Sequence, residues 1–160
     1  MGIKVVMLTG DNKDTAMAIA DELGIDDVRA DLKPEGKIEA VRELERRYGK
    51  MIMVGDGIND APALTEASVG MVMGTAGADA AIEAADVALM GDDLAKVPYA
   101  IELGKKARAI SLQNITFSLI LLLVLIPSAL IGAMTIALAV FIHEGAELLA
   151  VANGLRLAKK

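Results

Sequence analysis

Cysteine is absent from all 160 residues. That excludes disulfides, thiolate metal sites and Cys-x-x-Cys redox chemistry. Tryptophan is also absent, and aromatic residues make up only 2% of the chain. The 54% hydrophobic content therefore consists mainly of Ala, Ile, Leu, Val and Met, and it exceeds the share usual for a soluble domain. Positive charge is short as well: 16 Lys and Arg face 22 Asp and Glu, for a net charge of -6. A nucleic-acid partner would need a basic face, so that class is set aside. The start of the chain lacks the long apolar segment of a signal peptide, because a short strand-like run follows Met1-Gly2. Val6 stands where a myristoylation motif needs Ser or Thr.

What is present alternates. Ile3 to Leu8 reads as a buried strand, followed by the polar turn Thr9-Gly10-Asp11-Asn12. A helix is predicted from about Asp14 to Leu23, with Ala16, Ile19, Ala20 and Leu23 on one face and Gly24 as its stop. Asp27 to Ala30 is a short strand. Pro34, favourable in a first turn, opens a helix over Glu35 to Arg47 whose apolar positions are Ile38, Val41 and Leu44. Met51 to Val54, Val69 to Met73 and Val87 to Met90 read as further strands, with helices over Ala61 to Ala67 and Ala76 to Ala84. Strand–helix alternation of this kind predicts an α/β parallel sheet with helices on its faces. The methionines Met7, Met51, Met53, Met71, Met73 and Met90 fall on strands and read as core filling rather than soft-metal ligands.

The character changes after Asp93. A helix of mixed polarity runs from Leu94 to about Gln113, and no charged residue occurs from Ala109 to Ile142. At about 1.5 Å per residue that run is too long for one crossing of a hydrocarbon core of about 30 Å. Pro127 and Gly132 mark breaks, so the reading is a hairpin of two membrane helices, over about 112–130 and 133–154. Lys105, Lys106 and Arg108 flank one end, and Arg156, Lys159 and Lys160 the other. Both ends are then cytoplasmic. His143, Glu144 and Glu147 interrupt the second helix, where ionisable groups are costly and mark partners or transport paths. His143 and Glu147 are four apart and share a helix face.

The stretch Val54-Gly55-Asp56-Gly57-Ile58-Asn59-Asp60-Ala61-Pro62 sits between a strand and a helix, at the carboxyl end of the strand. In an open α/β sheet that is where ligands bind. Gly55 and Gly57 are expected to let the backbone turn sharply and approach a ligand. Asp56 and Asp60 offer the hard oxygen atoms that Mg2+ prefers.

Met7-Leu8-Thr9-Gly10-Asp11-Asn12, Pro34-Glu35-Gly36-Lys37 and Gly55-Asp56-Gly57-Ile58-Asn59-Asp60-Ala61-Pro62-Ala63-Leu64 closely resemble the C-terminal half of the phosphorylation domain of P-type ATPases. Gln113-Asn114 and the ending His143-Glu144-Gly145 … Asn153-Gly154-Leu155-Arg156-Leu157 resemble the heavy-metal-transporting branch. The likeness covers essentially the whole chain. It implies a haloacid-dehalogenase-like α/β fold over 1–93, a connecting stalk helix over 94–111, and a membrane helix pair with a basic tail over 112–160. It also implies an ATP-driven pump working through an aspartyl phosphate. Asp56 would bind Mg2+, with Asn59 and Asp60 shaping the phosphate and metal shell. Thr9, in the loop with Gly10 and Asp11, would hydrogen-bond the transferring phosphoryl group, and Lys37 would neutralise its charge. Lys33, nearby, reads as solvated helix-start charge.

Other parts of that family have no counterpart in this sequence. No Asp in an Asp-Lys-Thr-Gly-Thr context is present, nor a Thr-Gly-Glu actuator loop, nor a Cys-Pro-x motif. The expectation is a C-terminal piece that needs the N-terminal portion of the pump as partner and is inactive alone. Its partners would be a lipid bilayer and a heavy-metal cation, and its location the cell membrane, with the α/β part cytoplasmic. His143, Glu144 and Glu147 would contribute to the intramembrane site. Imidazole and carboxylate suit Co2+, Ni2+, Zn2+ or Fe2+ better than Cu+. The resemblance favours His143 with Glu144, whereas helix geometry favours His143 with Glu147. Two other readings are a membrane-tethered phosphatase of haloacid-dehalogenase type and a non-catalytic membrane-anchored binding fragment.

The hairpin makes the first prediction. Single cysteines placed at Gly104, Gly132 and Lys159 on this cysteine-free background should be labelled by an impermeant thiol reagent from two sides. Gly104 and Lys159 should react from the cytosol and Gly132 from the opposite side. Gly104 and Lys159 on different sides would defeat the hairpin.

Overall fold

The computed structural model describes residues 1–56, 58–74, 79–91 and 93–158. The chain forms two compact units, Met1–Asp93 and Leu94–Lys160.

The first unit begins with β1 (Val6–Leu8), which leads into α1 (Lys13–Leu23). Asn12 caps α1 by accepting a hydrogen bond from the Thr15 amide, and Gly24 ends it with a left-handed φ of 68°. Both are the side-chain cap and glycine stop that helix ends require. The expected apolar face of α1 is only partly used. Ala16 and Ala20 are buried, while Ile19 and Leu23 are exposed. After β2 (Asp27–Arg29), α2 (Pro34–Tyr48) starts with Pro34 in its first turn. It buries Ala40, Val41 and Leu44. β3 (Ile52–Gly55), a 3-10 turn over Ile58–Asp60 and α3 (Ala61–Glu66) follow. β4 (Val69–Met73), α4 (Asp79–Ala84) and β5 (Val87–Leu89) complete the unit. The helix expected from Ala76 is described from Asp79, its first residues lying outside the described ones.

All strand pairing is parallel, as the alternation predicts, but it falls into two sheets: β1–β2, and β3–β4–β5. Among the described residues β1 and β3 each pair on one side only. The strands are also shorter than the apolar runs suggest. Ile3 and Val5 are at least half exposed, because a run with no neighbour to pair with gains nothing from extending.

Leu64, Val41, Met53, Ala63, Ala67 and Val72 form the core, with Leu8, Ile38, Met51 and Ala85 packed against it. Met53 and Met71 are buried as expected, but Met90 lies beyond β5 and is 71% exposed. α3 lies so close to β4 that a Cβ on Gly70 would sit 2.6 Å from the Leu64 carbonyl oxygen. Ser68, just before β4, donates from its amide and hydroxyl to Glu45 at 2.7 and 2.5 Å. Those hydrogen bonds hold the Glu45 carboxyl below its usual range. Arg42 of α2 grips Glu66 of α3 through two hydrogen bonds of 2.9 Å.

The second unit is a pair of helices, α5 (Lys96–Leu130) and α6 (Ile136–Gly154), followed by a 3-10 turn over Leu155–Ala158. α5 runs without interruption for 35 residues. The stalk and the first apolar helix are one element, because nothing between 109 and 114 stops a helix. Pro127 lies inside α5, so the break falls later than that proline. It comes at Gly132, with φ of 71°, and Thr135 caps α6 by accepting from the Leu138 amide. Both helices are long and apolar enough to cross a membrane. The 19 residues of α6 give about 28 Å at ~1.5 Å per residue.

Gly70→Ala tests the packing of α3 on β4. The added methyl meets backbone rather than a movable side-chain end, and overpacking of this kind costs about 1–3 kcal/mol. It should appear as faster amide exchange at Met71 and Val72 in the whole chain. Unchanged protection would show that the close approach is not rigid.

Candidate functional site

The carboxyl ends of β1, β2 and β3 carry the polar loops, and a continuous set of contacts joins them. At the end of β1, the Thr9 hydroxyl donates to Asp11 at 2.9 Å and accepts from the Asp11 amide at 3.1 Å. This turn is braced from beyond β2. The Leu32 amide donates to the Thr9 carbonyl at 3.0 Å and the Asp31 amide to the Asp11 carbonyl at 2.8 Å. Asp31 adopts a left-handed φ of 54°, which Asp tolerates better than most residues. Gly10 faces the Leu32 carbonyl, where a Cβ would lie 3.3 Å away.

Leu32 leads directly into α2. A Cβ on Gly36 would contact the Leu32 side chain at 3.5 Å, so the first turn of α2 rests on the same segment. One residue on, Lys37 Nζ reaches Asp60 Oδ1 at 2.6 Å, with both side chains largely buried. Asp60 is 7% exposed and is the one buried charged residue among the described ones. A buried carboxylate without a partner would be strongly destabilising. Lys37 meets that need with one of its three N–H donors and has two more to offer.

The role of Gly55 differs from the sequence expectation. It closes β3 without a positive φ, so it is not a sharp-turn glycine. It makes room instead, because a Cβ there would lie 2.8 Å from Asp60 Cβ and 2.9 Å from Asp60 Oδ2. Gly57 lies outside the described residues. Asp56, just past the end of β3, is exposed, and so is Asn59. The structure thus links Thr9, Gly10 and Asp11 through Leu32 and Gly36 to Lys37 and Asp60, with Asp56 adjoining. Leu32 and Asp31 are the contributors that sequence reasoning passed over, while Gly36 stood inside the quoted Pro34–Lys37 motif without a role. An apolar residue and a left-handed Asp carry no motif signal.

The donor set at the Asp56 end is oxygen, and one exposed carboxylate is the kind of ligand Mg2+ takes while keeping most of its water. Asp60 has one oxygen committed to Lys37. Among the described residues, no group of three or more His, Asp or Glu side chains is placed to hold a metal by itself.

In the second unit, His143 Nε2 lies 3.5 Å from Glu147 Oε1, with side-chain exposures of 44% and 64%. Glu144 is also exposed. The structure therefore brings His143 to Glu147 and leaves Glu144 on another side of α6, as helix geometry requires.

Residues 1–68 match the haloacid dehalogenase-like hydrolase family. A probable cadmium-transporting ATPase of Listeria monocytogenes is 49% identical over 156 residues, covering 98% of this chain and 22% of that protein. A probable cation-transporting ATPase G of Mycobacterium tuberculosis is 48% identical over 158 residues, covering 99% of this chain and 20% of that protein. A crystal structure of a zinc-transporting PIB-type ATPase superposes with a TM-score of 0.83 at 44% identity, covering 98% of this chain and 25% of that one. The chain spans about a fifth of the length of the curated relatives it matches. With haloacid-dehalogenase-like α/β architecture, two long apolar helices and likeness at this level across nearly every residue, the chain belongs to the heavy-metal P-type ATPases and corresponds to their C-terminal portion.

Proposed function

We propose that this chain contributes the Mg2+ and phosphoryl-binding part of an ATP-driven cation pump, together with a membrane-spanning helix pair that carries part of the cargo site. The observation that carries this reading is the contact path from Thr9 through Leu32 to the Lys37–Asp60 pair, at the carboxyl ends of parallel strands. The phosphorylated Asp would come from polypeptide outside this chain. The unpaired sides of β1 and β3 favour this, since a strand placed beside them would end among Thr9, Lys37 and Asp56.

Each side chain then has a task. The Thr9 hydroxyl donates to a phosphoryl oxygen in place of Asp11. The free N–H groups of Lys37 balance the charge that spreads over those oxygens in the transition state. Asp60 fixes the ammonium and keeps it from wandering. Asp56 and Asn59, both exposed, face the ligand side, and Asp56 holds Mg2+. The ion, when bound, polarises the phosphoryl oxygens. ATP is the phosphoryl donor in the complete pump, and this chain alone does not turn over.

The cargo is a divalent transition metal, with His143, Glu144 and Glu147 as the ligands this chain offers. Imidazole and carboxylate suit zinc, cobalt, nickel or iron. The names of the relatives, which point to cadmium and zinc, support a metal of that group. Further ligands would come from other helices, since one helix cannot close a site around an ion. The α/β unit and both ends of the hairpin face the cytosol.

In the complete pump, Asp56→Asn keeps the size of the side chain and removes its charge. Phosphoenzyme formation from ATP should fall on the order of a hundredfold, the scale on which lost transition-state electrostatics act. Phosphoenzyme at the unsubstituted level in the presence of Mg2+ would sink the assignment.

Gly55→Ala tests the ion pair without touching either charge. Its methyl must displace Asp60, so phosphorylation should drop while the fold, read by circular dichroism, is retained. Full activity in this variant would mean that the Lys37–Asp60 geometry is not required.

A further inference from the structure

Four polar side chains gather where α5 meets α6. Asn114 Nδ2 donates to the Ala150 carbonyl at 3.1 Å, and Asn153 Nδ2 donates to Asn114 Oδ1 at 2.9 Å and to Gln113 Oε1 at 3.2 Å. Arg156 in turn donates to Asn153 Oδ1 at 3.0 Å. The three bonds made by Asn114 and Asn153 Nδ2 join α5 to α6, and the Arg156 bond ties Asn153 to the 3-10 turn that follows α6. Among the described residues of the two helices, Leu125 of α5, 7% exposed, is the one that is buried. Apolar side chains in a lipid setting give little preference for one helix rotation over another, because lipid tails are as apolar as leucine. Directional hydrogen bonds do.

We propose that Asn114 and Asn153 are positioning residues, a hydrogen-bonded clamp that fixes the rotation and register of α6 on α5 and thereby the direction in which His143 points. The geometry follows from the helix repeat. His143 lies seven residues before Ala150, which at ~100° per residue leaves it within about 20° of the face that Asn114 grips. Glu144 lies about 120° from that face and Glu147 about 60°. The clamp thus directs the imidazole toward α5, and the two carboxylates toward sides of α6 that α5 does not cover. This matches the half-buried His143 beside the more exposed Glu147. Turning α6 by one residue would exchange His143 for Glu144 at the α5 face. The clamp itself rests on the hairpin; its consequence for cargo rests on the reading of His143 given above.

The test measures helix rotation, not transport. In the cysteine-free chain, reconstituted in phosphatidylcholine–phosphatidylglycerol vesicles, two cysteine pairs report it. Leu125→Cys with Ala139→Cys joins two inward positions. Leu125→Cys with Phe141→Cys uses a site on α6 that is 76% exposed and lies about 200° further round the helix. Oxidative cross-linking of the first pair should exceed that of the second. With Asn114→Leu and Asn153→Leu together, the ratio should fall by roughly five- to tenfold, the scale of hydrogen bonds between membrane helices. Asn153→Ala alone should give a smaller fall in the same direction. Helix content by circular dichroism shows whether each variant remains folded. A ratio unaffected by either variant, or equal cross-linking of both pairs in the chain with both asparagines intact, overturns the proposal.

Discussion

One buried ion pair sets the layout of the α/β unit. Asp60 is almost wholly removed from water. Lys37 is the partner that makes this tolerable, at 2.6 Å. Breaking such a pair by removing one member costs about 3–5 kcal/mol, because the other charge is left stranded. The pair has structural consequences on both sides. It ties the first turn of α2 to the segment after β3, and it requires a glycine at position 55, where any Cβ would occupy the space of the Asp60 carboxylate. Through Leu32 and Gly36 the same helix start holds the Thr9 turn in place. The loops at the carboxyl ends of β1, β2 and β3 are therefore one mechanical assembly, though their residues are far apart in sequence.

The second unit obeys a different constraint. With apolar side chains on nearly every side, its helices are specified less by burial than by the few polar groups they carry. Thr135 and Gly132 decide where the chain turns, and the asparagines decide which faces meet. His143 and Glu147 form a contact inside α6, while α5 offers no charged side chain between Arg108 and its end.

Much of this could be read from the residues. Strand–helix alternation, the Gly24 stop, Pro34 in the first turn of α2 and the loop after β3 all follow from local chemistry, and the structure has each of them. What escaped depended on partners or on space. Ile3 and Val5 look like strand residues but lie outside β1, because pairing needs a neighbour that pattern alone does not supply. The separation of β1–β2 from β3–β4–β5 has the same origin. Ile19 and Leu23 have the right spacing for a buried face and remain exposed, since amphipathic pattern states a preference, not the presence of a cover. The stalk over 94–111 and the membrane helix from about 112 read as two elements but form one helix, since a helix has no reason to stop where its surroundings change. Pro127 was likewise tolerated inside α5, as helices in apolar surroundings allow when nearby groups take up the freed carbonyl.

The central claim is that the loops described here form one part of a phosphoryl-transfer site and need an Asp from elsewhere. The most direct measurement joins this chain in frame behind the N-terminal portion of a cadmium-transporting relative and tests for phosphorylation from ATP with Mg2+. The account predicts a hydroxylamine-sensitive phosphoenzyme on the joined protein and none on the chain alone. Phosphoenzyme, or ATP hydrolysis, on the purified chain alone would contradict it.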